Sequence, residues 1–343
     1  MFVKTVFGFT PEGSLLKKSM GDLCYIDESY VLKSEIVNGG IELTYQIFGQ
    51  PIGTAPVVLV NHALTGNSNV AGENGWWKSL IGENEVIDTE KFTIICFNIP
   101  GNGFDGKREN LLVNYKDFTT KTIANLFWEG LKYIGIEKLY AVIGGSLGGA
   151  IAWEMGFLKP QAIEYIIPIA TNYKATDWLI ANVLVQDQIL NNSKQPIHDA
   201  RLHAMLLYRT PQSFQAKFKT SHNEGLYQVE SWLLHHGKQL ENRFSLSSYK
   251  LMNHLLKTIG QDIDKQDLLF FAQNTNAVIH QIAITTDCFF TPDENQNAYQ
   301  LMRSVNDKVQ YSEIESIHGH DAFLIEYEQL NAILKSIFTI HNN

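Results

Sequence analysis

Cysteine is scarce in this chain: Cys24, Cys96 and Cys288 are the only three in 343 residues. Their odd number and wide spacing exclude a disulfide framework and a thiolate metal centre. Cys96 falls inside the apolar run Phe92-Thr93-Ile94-Ile95-Cys96-Phe97 and reads as a small core residue. So few thiols fit a reducing compartment. Positive charge is also short, with 27 Lys and Arg against 36 Asp and Glu and a net charge of −9. That balance excludes a basic surface for nucleic acid or anionic membrane. An anionic ligand would need a local cluster of Lys, Arg and helix N-termini. No apolar run approaches the roughly 18 residues that span a bilayer. Met1-Phe2-Val3-Lys4-Thr5-Val6 lacks the basic-then-apolar pattern of a secretory signal. Internal repeats and low-complexity stretches are missing too. The chain reads as soluble and cytoplasmic.

What is present is material for a large core: 45% of residues are hydrophobic and 11% aromatic. The length allows one large α/β domain with an insertion, or two domains. Residues 41–48 alternate like a half-exposed strand. Val57-Val58-Leu59-Val60-Asn61, residues 92–97 and Leu139-Tyr140-Ala141-Val142-Ile143 are short continuous apolar runs. Residues 164–170 form another with an internal proline, and 278–286 and 309–314 complete the series. Such runs, separated by helical patterns, predict a mostly parallel sheet covered on both faces. The segment 119–134 is one such helix, with Ile123, Leu126, Phe127, Leu131 and Ile134 on a common face. The tail at 328–341 is another. Between 175 and 273 the strand rhythm gives way to helical patterns. We expect residues 1–174 and 274–343 to form the core, with 175–273 inserted as a helical lid over the carboxyl edge of the sheet, where open α/β sheets place ligands.

The most informative stretch is Gly144-Gly145-Ser146-Leu147-Gly148-Gly149, which follows a buried strand and precedes Ala150-Ile151-Ala152-Trp153-Glu154-Met155. A strand that breaks at Gly-x-Ser-x-Gly and resumes as a helix is the nucleophile elbow of the α/β-hydrolase fold. A serine hydroxyl needs a base and a group to orient that base. In this fold the acid and then the histidine follow the serine along the chain. Asp287 ends a late strand, and 33 residues later comes Ser316-Ile317-His318-Gly319-His320-Asp321-Ala322-Phe323-Leu324. Spacing alone leaves His318 and His320 as alternatives for the base. Other histidines, such as His203, His235 and His254, read as ordinary surface or packing residues. Two backbone N–H groups must receive the oxyanion. Leu147 supplies one, and the loop Asn61-His62-Ala63-Leu64-Thr65-Gly66 is placed to supply the other through Leu64.

His62-Ala63-Leu64-Thr65-Gly66, Gly75-Trp76-Trp77, the elbow and His318-Gly319-His320-Asp321-Ala322-Phe323-Leu324 together resemble the homoserine O-acetyltransferases of methionine biosynthesis. The resemblance runs from about residue 41 to the C-terminus. It includes a lid block from Ala200-Arg201-Leu202 through Tyr208-Arg209-Thr210-Pro211-Gln212-Ser213-Phe214 to Lys217-Phe218-Lys219. It implies acetyl transfer from acetyl-CoA, a co-substrate rather than a resident cofactor, to L-homoserine through an acetyl-serine. Ser146 would be the nucleophile, Asp287 the orienting acid and His320 the base. Arg201 and Asp321 match positions that hold the amino acid, which suits a ligand bearing both carboxylate and ammonium. The resemblance also implies a homodimer joined through lid helices. One departure is the loop Asn98-Ile99-Pro100-Gly101-Asn102-Gly103-Phe104-Asp105-Gly106-Lys107, shorter than in family members and free of their Cys and Ser.

The same residues would serve a serine hydrolase, an esterase or amidase with water as acceptor. Within the transferases, L-serine could replace homoserine and succinyl-CoA could replace acetyl-CoA. A binding protein on a hydrolase scaffold is the least economical reading, because all three reactive positions are filled.

Overall fold

The computed structural model describes residues 32–339, apart from Glu224, and the backbone of three short strands at residues 8–9, 15–19 and 22–26. Residues 1–6, the Cys24 side chain and the far end of the expected tail helix at 340–341 lie outside the described residues.

Eight strands form one sheet: β1 (Lys33–Val37), β2 (Ile41–Gly49), β3 (Val57–Asn61), β4 (Thr93–Phe97), β5 (Leu139–Gly145), β6 (Ile163–Ile169), β7 (Val278–Ile284) and β8 (Val309–Ile314). Their spatial order is β8-β7-β6-β5-β3-β4-β2-β1. β2 runs against both β1 and β4, and every pairing from β4 across to β8 is parallel. The apolar runs of β3, β4 and β5 have no polar face because both faces are covered. On one side, Leu59, Ile95 and Val142 meet Ile123, Phe127 and Leu131 of α1 (Thr120–Tyr133) and Trp153 of α2 (Leu147–Leu158). On the other, Val58, Ile94 and Ile143 meet Trp77 and the tail helix through Leu330, Leu334 and Ile337. Burying each such aliphatic side chain contributes about 1.5–3 kcal/mol.

Pro168 does sit inside a central strand. It has no N–H to give, and the β6–β7 register skips it, pairing Ile166 with Ile279 and next Ile169 with Ile282. The ladder to β5 is continuous there, with Gly144 opposite Pro168.

Between β6 and β7 lie α3 (Asp177–Asn192), α4 (Pro196–Tyr208), α5 (Pro211–Phe218), α6 (Gln228–Arg243), α7 (Leu246–Lys257) and α8 (Lys265–Asn274). Their starts are legible in the chain. Thr176, Thr210 and Ser245 cap helices with side-chain oxygens, and Pro196 and Pro211 occupy first turns where an N–H is not needed. A short antiparallel pair, His222–Asn223 with Leu226–Tyr227, interrupts the helices. The neck of the excursion is pinned: Ala175 N–H donates to the Ile259 carbonyl at 2.9 Å, and Gly260 has φ +55°, so close to Tyr173 that a Cβ would stand 2.1 Å from its carbonyl oxygen. Below the neck, buried Glu154 of α2 accepts hydrogen bonds from Thr120 Oγ1 at 2.9 Å and Gly260 N–H at 3.0 Å. α8 lies on the core side, where Phe271 packs edge-on against Phe157 of α2. The remaining helices are α9 (Pro292–Arg303) and α10 (Tyr327–Phe338). Among the described residues no helix is long and apolar enough to cross a membrane.

Candidate active site

Ser146 stands between the end of β5 and the first residue of α2, with φ +56° and ψ −125°. A non-glycine residue in this region is strained, and the surroundings enforce it. A Cβ on Gly148 would lie 2.1 Å from the Asn61 carbonyl oxygen. One on Gly145 would lie 2.4 Å from the Phe323 ring, and one on Gly149 would lie 2.6 Å from Thr171 Cγ2. The glycines are therefore required by close approach of α2, β3 and the loop after β8. The Ser146 N–H donates to the Ile169 carbonyl at 2.8 Å, fixing the turn to β6.

The loops after β7 and β8 deliver the rest. His320 Nε2 lies 2.9 Å from Ser146 Oγ, and its Nδ1 lies 2.7 Å from Asp287 Oδ2. Asp287 Oδ1 accepts the N–H groups of Phe289 and Phe290 at 2.7 and 3.0 Å, which aims the other oxygen at the histidine. All three side chains are buried. The His320 ring stacks on Phe290 and meets the edges of Phe289 and Phe323, so it has little freedom to turn. His318, the competing histidine, faces away: its Nδ1 is 3.1 Å from Arg209 and 3.0 Å from Ser213 Oγ. An imidazole between a hydroxyl and a carboxylate can move a proton off the hydroxyl and return it to a leaving group.

Leu147 opens α2, so its N–H has no partner within the helix. Leu64 lines a cavity with Tyr208 and Phe289 from the loop after β3, whose turn is closed by Gly66 N–H to the Ala63 carbonyl at 2.9 Å. Gly75-Trp76-Trp77 fastens this region. Trp76 Nε1 donates to the Asn67 carbonyl at 2.9 Å, and Trp77 Nε1 points to the Phe323 carbonyl at 3.4 Å.

The lid brings Arg201 and Tyr208 of α4 over this floor. The Arg201 guanidinium carbon is 5.6 Å from the Tyr208 ring and forms no ion pair among the described residues. Burial holds the Asp321 carboxyl above its ordinary value, with Arg201, His320 and Arg209 offsetting part of that. Arg209, one residue past the end of α4, has its Nη1 3.9 Å from Asp321. The sequence carried no signal for that, since the partners are 112 residues apart. His236 is held down to about 4 by burial first and then by Arg201, His235, Lys217 and Arg209. The lid side of the site is thus a cationic cluster in an otherwise acidic chain, suited to an anionic ligand. Between lid and floor is a cavity lined by Leu64, Gln186, Tyr208, Tyr249, Asn253 and Phe289. Burial pushes both tyrosine phenols up, which keeps them neutral hydrogen-bonding groups. His203 and His254 serve packing and hydrogen bonding in the lid. No group of three or more metal-ligating side chains is gathered among the described residues.

A family model of the α/β-hydrolase fold matches residues 56–287. A homoserine O-acetyltransferase of Cyclobacterium marinum is 32% identical, with the alignment covering 94% of this chain and 96% of the relative. One of Moorella thermoacetica is 31% identical over 89% of this chain and 92% of its own. Among solved structures, a homoserine O-acetyltransferase from Bacillus anthracis matches with a TM-score of 0.77 at 19% identity, covering 92% of this chain and 98% of its own. An acetylester hydrolase from Corynebacterium glutamicum matches with a TM-score of 0.73 at 19% identity, covering 90% and 95%. At such identities the two solved structures speak to the fold alone.

Proposed function

Because this chain belongs to the homoserine O-acetyltransferases, a family of enzymes with the α/β-hydrolase fold, we propose that it transfers an acetyl group from acetyl-CoA to the hydroxyl of L-homoserine through an acetyl-serine at Ser146. The observation that carries the mechanism is the hydrogen-bonded line from Asp287 through His320 to Ser146. In the first half, His320 Nε2 takes the Ser146 proton and Oγ bonds to the thioester carbon. The carbon–sulfur bond then breaks, and CoA leaves as the thiol with the proton from His320. In the second half, His320 takes the proton of the homoserine hydroxyl, whose oxygen bonds to the acetyl carbon. The bond to Oγ breaks and Ser146 regains a proton. The N–H groups of Leu64 and Leu147 receive the oxyanion in both halves, an electrostatic term worth about 3–4 kcal/mol per donor. Arg201 binds the amino-acid carboxylate and Asp321 its ammonium, with Arg209 steadying Asp321.

The lid keeps water from the acetyl-serine, which would otherwise hydrolyse. We further place the enzyme in the cytoplasm as a homodimer joined through lid helices. Trp178, Leu184 and Val185 of α3 are about half exposed, which suits a second copy. Sedimentation should return twice the chain mass; a monomer would remove that assignment.

The decisive experiment crosses acyl-CoA donors with acceptors and reads free thiol. Acetyl-CoA with L-homoserine should release CoA rapidly, and acetyl-CoA alone should release little. Thiol release that ignores the amino acid, with rapid turnover of a nitrophenyl acetate, would make the chain a hydrolase. Preference for L-serine or succinyl-CoA would reassign acceptor or donor while leaving Ser146 in place. Ser146→Ala should abolish turnover by about 10⁶-fold.

A further inference from the structure

His62 does not touch the reacting groups, yet it lies where two loops that frame them meet. Its ring is buried, and Nε2 accepts the Ile99 N–H at 3.0 Å with the Asn102 amide at 3.4 Å. An acceptor nitrogen carries no proton, so the proton is on Nδ1, which lies 2.7 Å from the Ala63 carbonyl. One tautomer satisfies every partner. Burial also disfavours the imidazolium, holding the group down to about 4. Gly66 belongs to the same arrangement, because a Cβ there would stand 2.9 Å from the His62 Cβ.

The loop that His62 grips is itself braced. Asn98 Nδ2 donates to Thr44 Oγ1 at 3.0 Å and to Ser68 Oγ at 2.9 Å, and Asn98 Oδ1 accepts the Ser68 N–H at 2.9 Å. Asn102 Nδ2 donates to Asn98 Oδ1 at 3.2 Å, and its own Oδ1 accepts the Phe104 N–H at 3.0 Å. These buried, uncharged side chains join the loop at 98–104 to the loop at 61–68 and to β2. Gly101 and Gly103 carry φ near +80°, letting the short loop fold tightly over this network. A donor that must meet an oxyanion within a few tenths of an ångström cannot rest on an irregular loop alone. Residues 62–66 are such a loop.

We propose that His62 is a positioning residue for acyl transfer: locked as the neutral Nδ1–H tautomer, it clamps the loop at 62–66 to the loop at 98–104 and so holds the Leu64 N–H on the acyl oxygen. This rests on the reading of Ser146 as nucleophile and Leu64 as oxyanion donor. The departure at 98–107 then has a structural meaning, since its two asparagines and the Ile99 N–H supply the brace.

Two variants test the clamp. His62→Leu removes both nitrogens, whereas His62→Gln restores an acceptor at the reach of Nε2. In rapid-quench measurement of acetyl-enzyme formation from acetyl-CoA, His62→Leu should slow acylation on the order of 10²-fold with the half-saturating acetyl-CoA concentration unchanged. His62→Gln should recover most of that loss. Nitrogen-15 NMR of the wild-type imidazole should show a neutral, Nδ1-protonated ring throughout pH 6–8. The proposal is overturned by a folded His62→Leu that acylates at the wild-type rate, by losses that merely follow the unfolded fraction, or by a His62 ring that titrates in the ordinary histidine range. Ser146→Ala separates the two readings. If it still turns over, the acyl-serine mechanism is wrong; a normal acetyl-enzyme in His62→Leu removes the clamp alone.

Discussion

The floor and the roof of this site are built by different physics. Beneath Ser146 the packing is tight: α2, β3 and the segments after β6 and β8 approach so closely that four glycines leave no room for a methyl group. Above it, α4 and α7 contribute long side chains, and Tyr208, Tyr249 and Asn253 line a small cavity there. The floor fixes geometry to fractions of an ångström, as the developing charge requires. In the proposed function the roof sets which molecule fits. Reaction type, on that proposal, resides below the serine and substrate choice above it.

The sharpest way to break this division is Gly148→Ala. Its Cβ would meet the Asn61 carbonyl, forcing β3 and α2 apart at a cost of about 1–3 kcal/mol of stability. Because both proposed oxyanion donors flank that contact, turnover should fall on the order of 10²-fold even where calorimetry shows a folded protein. A fully active variant would show the floor to be less exacting than its packing implies. Next in size, Arg201→Ala should raise the KM for the amino acid roughly 10- to 100-fold, the equivalent of one charged hydrogen bond. Acetyl-enzyme formation from acetyl-CoA should be unchanged. Slowed acylation in Arg201→Ala would blur the boundary between roof and floor.

The smallest effect concerns a contact outside both. The Glu42 carboxyl is drawn down to about 2, chiefly by hydrogen bonds from Lys107 and Asn110, which tie the 98–107 loop to β2. A depressed carboxyl stabilises the fold above its unfolded value near 4.5, and that contribution fades as pH falls through about 2. Glu42→Gln should therefore cost about 1 kcal/mol or less at pH 7, because half-exposed Lys107 is screened by solvent, and nothing below pH 2. Denaturant midpoints at the two pH values decide it, and turnover at neutral pH should not change.

Much of the floor was readable in the chain, because buried parallel strands and a Gly-flanked serine leave strong local patterns. The run at 164–170 is a strand despite Pro168, since the missing N–H removes only part of one ladder. β1 gave no signal: of its five residues only Val37 is buried, so no apolar alternation marks it. Spacing could not choose between His318 and His320, because both follow β8 closely. Only the fold shows that one ring turns toward Ser146 and the other toward Arg209. The place of Arg209 beside Asp321, and of His62 beside Ile99 and Asn102, depends on partners brought together by the sheet and the lid. No local pattern encodes such meetings.

Glu154 has a last consequence. The helix that begins immediately after the reactive hydroxyl also carries, seven residues on, the carboxyl that grips Gly260 at the base of the neck. Loosening that joint would tug on the very segment whose first turn carries the Leu147 N–H. Thermal wear at the neck should thus silence the enzyme before the sheet melts, making activity an early reporter of heat damage in this molecule.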